Sequence, residues 1–178
     1  MRIVGGELGG RRFTAPRGRA TRPTSERARE AVFSILGDIS GDRVLDLFAG
    51  SGALGIEALS RGAAQAIFVD SEIAAIRTIL DNVSRLGLGQ RAIVTKADIT
   101  RGPLPVLEQL DLVFVDPPYL RASEFGPLLT HALPPLLRPG ARVVSESDRR
   151  SPLELGLPLS LERRYGDTLI RIHQHSET

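Results

Sequence analysis

From Gly41 onward the chain alternates short apolar runs with amphipathic stretches, joined by links of only a few residues. Such alternation points to parallel strands lying side by side, with the intervening helices packed over both faces. Arg43–Phe48 reads as the first strand and Leu54–Ser60 as a helix. Ala66–Val69 is the next strand. Glu72–Leu86 is a helix with Ile76, Ile79, Leu80 and Val83 on its apolar face, and Gly87 closes it. Ala92–Thr95 is a strand, Val106–Leu110 a short helix between prolines, and Leu112–Val115 a buried strand. Ser123–Leu133 is helical until Pro134-Pro135 breaks it, and Pro139-Gly140 turns into the strand Arg142–Ser145. Leu159–Tyr165 and Thr168–His173 form a hairpin about Gly166-Asp167, so these two strands must be antiparallel to each other. The expected fold is a doubly wound α/β sheet with an antiparallel strand at its end.

The turn after the first strand reads Asp46-Leu47-Phe48-Ala49-Gly50-Ser51-Gly52-Ala53-Leu54-Gly55. Gly50, Gly52 and Gly55 satisfy G-x-G-x-x-G in the strand-turn-helix setting that such a motif needs. Asp70 ends the second strand, 24 residues after Asp46. A carboxylate there can accept both hydroxyls of an adenosine ribose. So far the pattern suits NAD as well as S-adenosylmethionine. Asp46 tips the choice. It precedes the glycines at the strand's end, where it would repel a pyrophosphate in a low-dielectric cleft and suit the ammonium of a methionine moiety. Asp98, in Ala97-Asp98-Ile99, follows the third strand and can accept from an adenine amino group; a surface turn is the plainer reading of that residue.

Asp116-Pro117-Pro118-Tyr119 follows the apolar strand Leu112–Val115. Two prolines end the strand, since neither has an N–H and each fixes φ. An Asp carboxylate, a free proline carbonyl and a Tyr ring then stand together at a strand's carboxyl end. They make a cage for a planar group bearing NH₂: two acceptors for the amine hydrogens and a ring to stack on the flat face. A Pro-Pro turn with a capping Asp and a core Tyr is the plainer alternative.

Residues 1–20 alternate weakly around Gly5-Gly6 and Gly9-Gly10. Ile3-Val4, Glu7-Leu8 and Arg12-Phe13-Thr14 read as short strands of a small basic hairpin, too poor in apolar residues to fold alone. Thr21–Ser25 is a loop in which Thr24 or Ser25 caps a helix with Ala28, Val32, Ile35 and Leu36 on one face, ended by Gly37. The net charge is only +2, yet residues 1–29 carry +6 and the remainder −4. Lys96 is the sole lysine, so a general preference for Arg contributes, but it does not explain the clustering. A basic arm on a mildly acidic body points to a polyanionic partner, and nucleic acid fits best. With 178 residues, 42 % of them hydrophobic, the chain suits one globular domain with a small appendage. Cysteine is absent, which excludes a disulfide framework. No apolar run approaches the roughly 20 residues of a membrane span and no leader is evident, so a cytoplasmic location is expected. His131, His173 and His175 show no ligand spacing with other donors; His173 and His175 are read as solvated, and no metal is expected. Long heptads are missing, and a monomer is the default.

Taken together, the Asp46–Gly52 loop, Asp70, the Asp98 turn and the Asp116–Tyr119 tetrad resemble class I S-adenosylmethionine-dependent methyltransferases of exocyclic amines. The opening Met1-Arg2-Ile3-Val4-Gly5-Gly6, the Thr21-Arg22-Pro23-Thr24 loop and the Arg27–Phe33 helix narrow the resemblance to the bacterial RsmD family, 16S rRNA guanine-N2 methyltransferases. That resemblance covers nearly the whole chain. It implies a Rossmann-like, seven-stranded, mostly parallel sheet with one antiparallel strand, helices on both faces and an N-terminal β-hairpin extension. The implied division is residues 1–20 as an RNA-contacting extension and 21–178 as the methyltransferase domain. Asp46, Gly50, Gly52, Asp70 and Asp98 would hold S-adenosyl-L-methionine, with Phe48, Ala49, Ser51, Ser71, Ala97 and Ile99 beside them. Thr24 would close over the methionine end. Asp116 and Pro117 would hold the target amine, with Pro118 in the same catalytic tetrad, and Tyr119 would stack on its base. Arg2, Arg11, Arg12, Arg17, Arg19 and Arg22 would contact RNA, in 16S rRNA of the small ribosomal subunit or an assembly intermediate. Protein-glutamine and DNA-adenine methyltransferases use related tetrads, but the chain has no room for a DNA-reading domain and a protein substrate leaves the arginine-rich arm unexplained. An NAD-dependent oxidoreductase rests on the glycines alone. A non-catalytic RNA-binding factor is the remaining alternative.

Overall fold

The structure is a computed structural model and describes residues 1–16, 26–106, 109–118 and 121–176. Its elements in chain order are α1 (Glu26–Leu36), β1 (Arg43–Leu47), α2 (Ala53–Ser60), β2 (Gln65–Asp70), α3 (Ile73–Leu86), β3 (Ala92–Lys96), β4 (Leu110–Val115), α4 (Ala122–Ala132), a 3-10 turn (Pro134–Leu136), β5 (Leu137–Asp148), β6 (Leu159–Tyr165) and β7 (Thr168–Gln174). The strands form one seven-stranded sheet in the order β3-β2-β1-β4-β5-β7-β6. Neighbours from β3 through β5 are parallel, and β7 is antiparallel to both β5 and β6. One strand of the seven is therefore reversed, inserted between β5 and β6 as the hairpin folds back. This is the Rossmann-like architecture of class I methyltransferases.

Two apolar clusters cover the two faces. On the first, Val44, Phe68, Leu112 and Phe114 meet Val32 and Phe33 of α1, Ile56 and Leu59 of α2, and Ile79 and Val83 of α3. On the second, Leu45, Leu47, Val113 and Val115 meet Phe125 and Leu129 of α4 and the segment carrying Leu153, Leu155 and Leu157. The alternation of partners along β1 and β4 is the period-two consequence of strands buried on both sides. The ring centroids of Phe33 and Phe114 lie 5.6 Å apart, fixing α1 against the centre of the sheet. Gly37 and Gly87 end α1 and α3 with φ of 68° and 74°, a left-handed conformation open to glycine without a Cβ penalty.

Several expectations need correcting. In α1 the buried residues are Ala28, Arg29, Val32, Phe33 and Leu36, while Ile35 is exposed. In α3 the buried stripe is Ala75, Ile79, Asn82, Val83 and Leu86; Leu80 faces solvent and Ile76 is only half-buried. Both errors come from marking apolar residues rather than buried ones, since a polar side chain with partners can occupy the core-facing row. The expected helix Val106–Leu110 fails at Leu110, which opens β4 and pairs with Leu137; residues 107–108 lie outside the described ones. Strand β5 is longer than expected. It runs through Pro139-Gly140, with a register shift opposite Leu110 and Leu112 absorbing the irregularity. His173 is not solvated. It is buried in β7 with Nδ1 2.9 Å from the Leu157 carbonyl, and burial lowers its pKa.

The N-terminal segment pairs its two ends without the expected middle strand. Arg2 and Arg12 form an antiparallel bridge, with Ile3 N–H donating to Arg11 O and Phe13 N–H to Met1 O. Glu7-Leu8 lies in the turn instead of forming a middle strand. Ile3 and Phe13 are buried in the first cluster. The docking point is α2. Glu57, 1 % exposed, accepts the N–H groups of Val4 and Gly5 at 2.8 Å each and the Arg61 Nε–H at 2.8 Å. Fully buried Arg29 stands 4.0 Å from the same carboxylate and donates to the Arg2 carbonyl at 2.6 Å. At Gly6, φ is +76° and a Cβ would sit 1.9 Å from the Ser60 carbonyl, so only glycine lets the arm lie this close. Replacing Glu57 with Ala orphans the half-buried Val4 and Gly5 N–H groups and the Arg61 Nε–H, and leaves buried Arg29 without its nearest anion. We expect Glu57→Ala to lose about 3 kcal/mol or more in urea unfolding, with Glu57→Gln losing less. An unchanged midpoint for Glu57→Ala would mean that the arm is held by other contacts.

Candidate functional site

In the sheet order, the strand connections diverge between β1 and β4, and it is outside the carboxyl ends of such strands that open α/β sheets bind ligands. Register places the residues there. Leu47 pairs with Val69 on one side and Val115 on the other, so Phe48, Asp70 and Asp116 each begin or border adjoining turns. Asp70 pairs with Lys96, which brings Ala97 to the same edge. The edge is laced by backbone bonds: Ala49 N–H to Val69 O at 3.1 Å, Gly52 N–H to Ala49 O at 2.7 Å, and Ala97 N–H to Asp70 O at 3.0 Å.

The three glycines of the turn have different reasons to be there. Gly50 and Gly52 are left-handed, with φ of 57° and 78°. Gly55 is close packing: a Cβ on it would fall 2.3 Å from the Phe68 ring. Phe48 is also left-handed, at φ 61°, and is the single non-glycine residue with positive φ among those described. A bulky residue in that region is strained, and such strain gathers where a site demands a particular backbone. The Phe48 ring meets Phe125 of α4 edge-on, with centroids 4.7 Å apart.

Asp46 is 2 % exposed, and its Oδ2 accepts the Gly55 N–H at 2.9 Å. Burial pushes its pKa up to about 8, the Gly55 hydrogen bond opposing and the nearby Asp70 charge adding to the rise. Asp70, 5 % exposed, accepts Gly50 N–H through one oxygen and Glu72 N–H through the other, at 2.9 Å each. A carboxylate has about four lone-pair sites, so acceptor capacity remains. Ser71 is exposed, Ala97 half-buried and Ile99 buried beside this edge. Asp98 takes the turn form. Its Oδ1 accepts from Thr100 N–H at 3.0 Å and the Thr100 hydroxyl at 2.7 Å, and Arg101 sits 3.2 Å from Oδ2. The Thr100 bonds, more than Arg101, hold its pKa below the usual carboxylate value.

Asp116 is half-buried directly after β4, Pro117 is buried and Pro118 exposed. Tyr119 and Thr24 lie outside the described residues, as do Arg17, Arg19 and Arg22. Of the remaining arginines, Arg2 pairs with Glu26 at 3.1 Å, Arg11 donates to the Arg85 and Leu86 carbonyls at the end of α3, and Arg12 is exposed. Arg11 therefore has a structural task that its charge did not announce. Sequence reasoning also passed over Glu57 and Asn82. Each is a polar residue within the core-facing row of an amphipathic or apolar helix, and that interruption was the available signal. No group of three or more His, Asp or Glu residues suited to a metal ion occurs among the described residues, and no helix among them is long and apolar enough to cross a membrane.

The raised Asp46 pKa has a definite sign. A carboxyl whose folded value lies above its unfolded value of about 3.9 binds its proton more tightly when folded. Its contribution to stability is complete at low pH and is lost as pH climbs from about 4 to about 8. Asp46→Asn removes the ionisation. Its stability relative to the parent should rise across that window and stay level above it, as read by urea unfolding at pH 5, 7 and 9. A difference independent of pH would put an ordinary carboxyl at this position.

The comparisons with known proteins show the family of the chain. The family model described as "Conserved hypothetical protein 95" matches residues 1–174. The chain is 37 % identical over 98 % of its length, and 98 % of the relative's, to the "Putative rRNA methyltransferase YlbH" of Bacillus subtilis. It is 38 % identical to the "Ribosomal RNA small subunit methyltransferase D" of Escherichia coli over 68 % of this chain and 61 % of that one. Among solved structures, the "Putative methyltransferase yhhF" of Escherichia coli superposes with a TM-score of 0.82 at 32 % identity, covering 100 % of this chain and 99 % of that one. The chain belongs to the Conserved hypothetical protein 95 family, the RsmD family of methyltransferases.

Proposed function

We propose that this protein transfers a methyl group from S-adenosyl-L-methionine to the exocyclic N2 amine of a guanine in 16S rRNA of the small ribosomal subunit. Membership of the RsmD family supports methyl transfer to rRNA, and the site chemistry supports the finer reading. One observation carries it: the glycine turn with Asp46 and the Asp116-Pro117 corner end neighbouring parallel strands at the diverging point of the sheet.

The donor set fits the cofactor. Asp46 is a buried carboxyl held largely protonated at neutral pH, and a cationic ammonium is the partner that makes its ionisation favourable. Asp70 retains acceptor capacity for ribose hydroxyls. In this reading Thr24, Asp46, Phe48, Ala49, Gly50, Ser51, Gly52, Asp70, Ser71, Ala97, Asp98 and Ile99 form the cofactor site. When bound, the cofactor supplies a methyl carbon made electrophilic by its sulfonium.

The protein's part is to hold the amine. An arylamine lone pair is delocalised into the ring, so the nitrogen is a weak nucleophile. Asp116 and the Pro117 carbonyl accept its two hydrogens, draw it toward sp³ geometry and fix its direction, where positioning supplies much of the rate. Pro117 and Pro118 keep that corner rigid. As positive charge develops on nitrogen, the Asp116 carboxylate stabilises it and is placed to receive the proton released after transfer. Tyr119 stacks on the base, worth about 1–3 kcal/mol. The target base must be unstacked, as in RNA loops. Residues 1–20, with Arg2, Arg11, Arg12, Arg17, Arg19 and Arg22, act as the RNA-contacting extension, mainly through phosphates.

The decisive experiment incubates the protein and methyl-labelled cofactor with small ribosomal subunits from a strain lacking the relative of this enzyme, then maps the label. A single N2-methylguanine in 16S rRNA is expected; label on protein or on another base would overturn the reading. Asp116→Ala should retain its thermal unfolding midpoint and lose about 100- to 1,000-fold in turnover at saturating cofactor. Turnover within a few fold of the parent would remove Asp116 from the chemistry.

A further inference from the structure

Asn82 is the polar member of the buried row of α3, 1 % exposed, and every polar atom of its amide is used. Its Oδ1 accepts from the Thr14 N–H and the Thr14 hydroxyl, both at 2.9 Å. Its Nδ2 donates to the Thr14 carbonyl at 2.9 Å and to the Ser51 carbonyl at 3.1 Å. A single planar amide thus ties the end of the N-terminal arm to the middle residue of Gly50-Ser51-Gly52. Directly outside it, the arm and α3 enclose a groove with Phe13, Asn82 and Leu86 in its lining and Arg12 and Arg85 at its sides. Both arginines are exposed, and neither guanidinium forms an ion pair among the described residues. Two uncompensated cations over a partly apolar floor fit a phosphodiester strand carrying an unstacked base.

We infer that Asn82 is a positioning residue that couples the seating of rRNA in this groove to the cofactor affinity of the glycine turn. The inference rests on the functional reading above. Its physical basis is entropy. Gly50 and Gly52 sit in a conformation that glycine gives up much freedom to keep, and the Asn82–Ser51 bond restrains the residue between them. That bond is aligned only while Thr14 holds the other edge of the same amide. RNA bridging Arg12 of the arm and Arg85 of α3 restrains the two elements that this amide joins, and the turn then has less freedom left to lose when the cofactor binds. Linkage makes the effect reciprocal: bound cofactor must tighten RNA by the same factor.

Asn82→Asp is the sharpest test. It keeps the size of the side chain and both acceptor contacts to Thr14, but turns the donors toward Ser51 and the Thr14 carbonyl into an oxygen. The affinity for S-adenosylhomocysteine is measured by equilibrium dialysis, with and without saturating small ribosomal subunits from a strain lacking the enzyme. In the parent, subunits should tighten binding by about 5-fold or more. In Asn82→Asp, affinity of the free protein should fall about 10-fold and the tightening by subunits should shrink to less than about 2-fold. KM for the cofactor should rise while kcat at saturating cofactor stays within about 2-fold, a division that general loosening of the fold does not produce. Thr14→Val, which removes one of the four bonds, should reduce the tightening partway and serves if the first variant folds poorly. Arg12→Ala with Arg85→Ala should weaken subunit binding and leave the affinity of the free protein for S-adenosylhomocysteine unchanged. Equal tightening in the parent and both position-82 and position-14 variants overturns the coupling, as does a parent that binds subunits and S-adenosylhomocysteine independently. A parent that binds no S-adenosylhomocysteine at all overturns the cofactor reading itself, a separate outcome.

Discussion

Two neighbouring parallel strands whose onward connections depart in opposite directions cannot seal the gap between their own ends. In this protein those strands are β1 and β4, and most of the candidate site follows from that gap. The chain after β1 must turn within a few residues to start α2, which demands glycines and holds Phe48 left-handed. The chain after β4 meets Pro117 and Pro118 and cannot continue the ladder. Asp46 lies within β1 and Asp116 directly after β4, so two acidic side chains border the same edge of the sheet.

The sheet and its order of elements were legible because strands buried on two faces are hard to disguise. Leu112–Val115, Arg43–Leu47 and Gln65–Asp70 are almost wholly apolar apart from their ends, and turn residues punctuate them. The glycine turn, Asp70 and the Asp116-Pro117 corner stand at one edge of the sheet, and the sequence marked that edge because each joins an unusual backbone requirement to a polar group. What escaped was set by tertiary contact. Pro139-Gly140 looked like the start of a turn, yet β5 runs through it because Leu137 finds a partner in Leu110. His173 looked solvated because it lies near the end of the chain, but the Leu157 carbonyl and the hairpin cover it. The bonds of Asp98 to Thr100 are likewise a local detail that strand and helix patterning does not carry.

The arm illustrates the limit of composition as a guide. Counted by residue type, it is a cationic segment with little to bury. In space, Ile3 and Phe13 join the main core, while the Glu57 carboxylate gathers two backbone N–H groups and lies near two arginines. Its anchoring is therefore polar at the centre and apolar at the flanks. A buried charge of this kind adds less net stability than packed hydrocarbon would, but it tolerates few alternatives, because any misplacement strands an ion in a low-dielectric setting. Glu57 thus fixes where the arm lies more than how tightly it adheres. That fixed placement is what allows Thr14 to reach Asn82 at all.

The insertion of β7 between β5 and β6 has a consequence for the order in which the molecule can be assembled. Strand β5 offers its outer edge, twelve residues long from Leu137 to Asp148, to a partner that is translated only after β6 has been made. While a ribosome is still delivering the last segment, that edge carries unsatisfied amides and carbonyls beside an apolar face, the circumstance in which nascent chains recruit the wrong strand. The tight Gly166-Asp167 reversal shortens this exposure, since β7 can zip onto β6 locally and the pair can then dock as a unit.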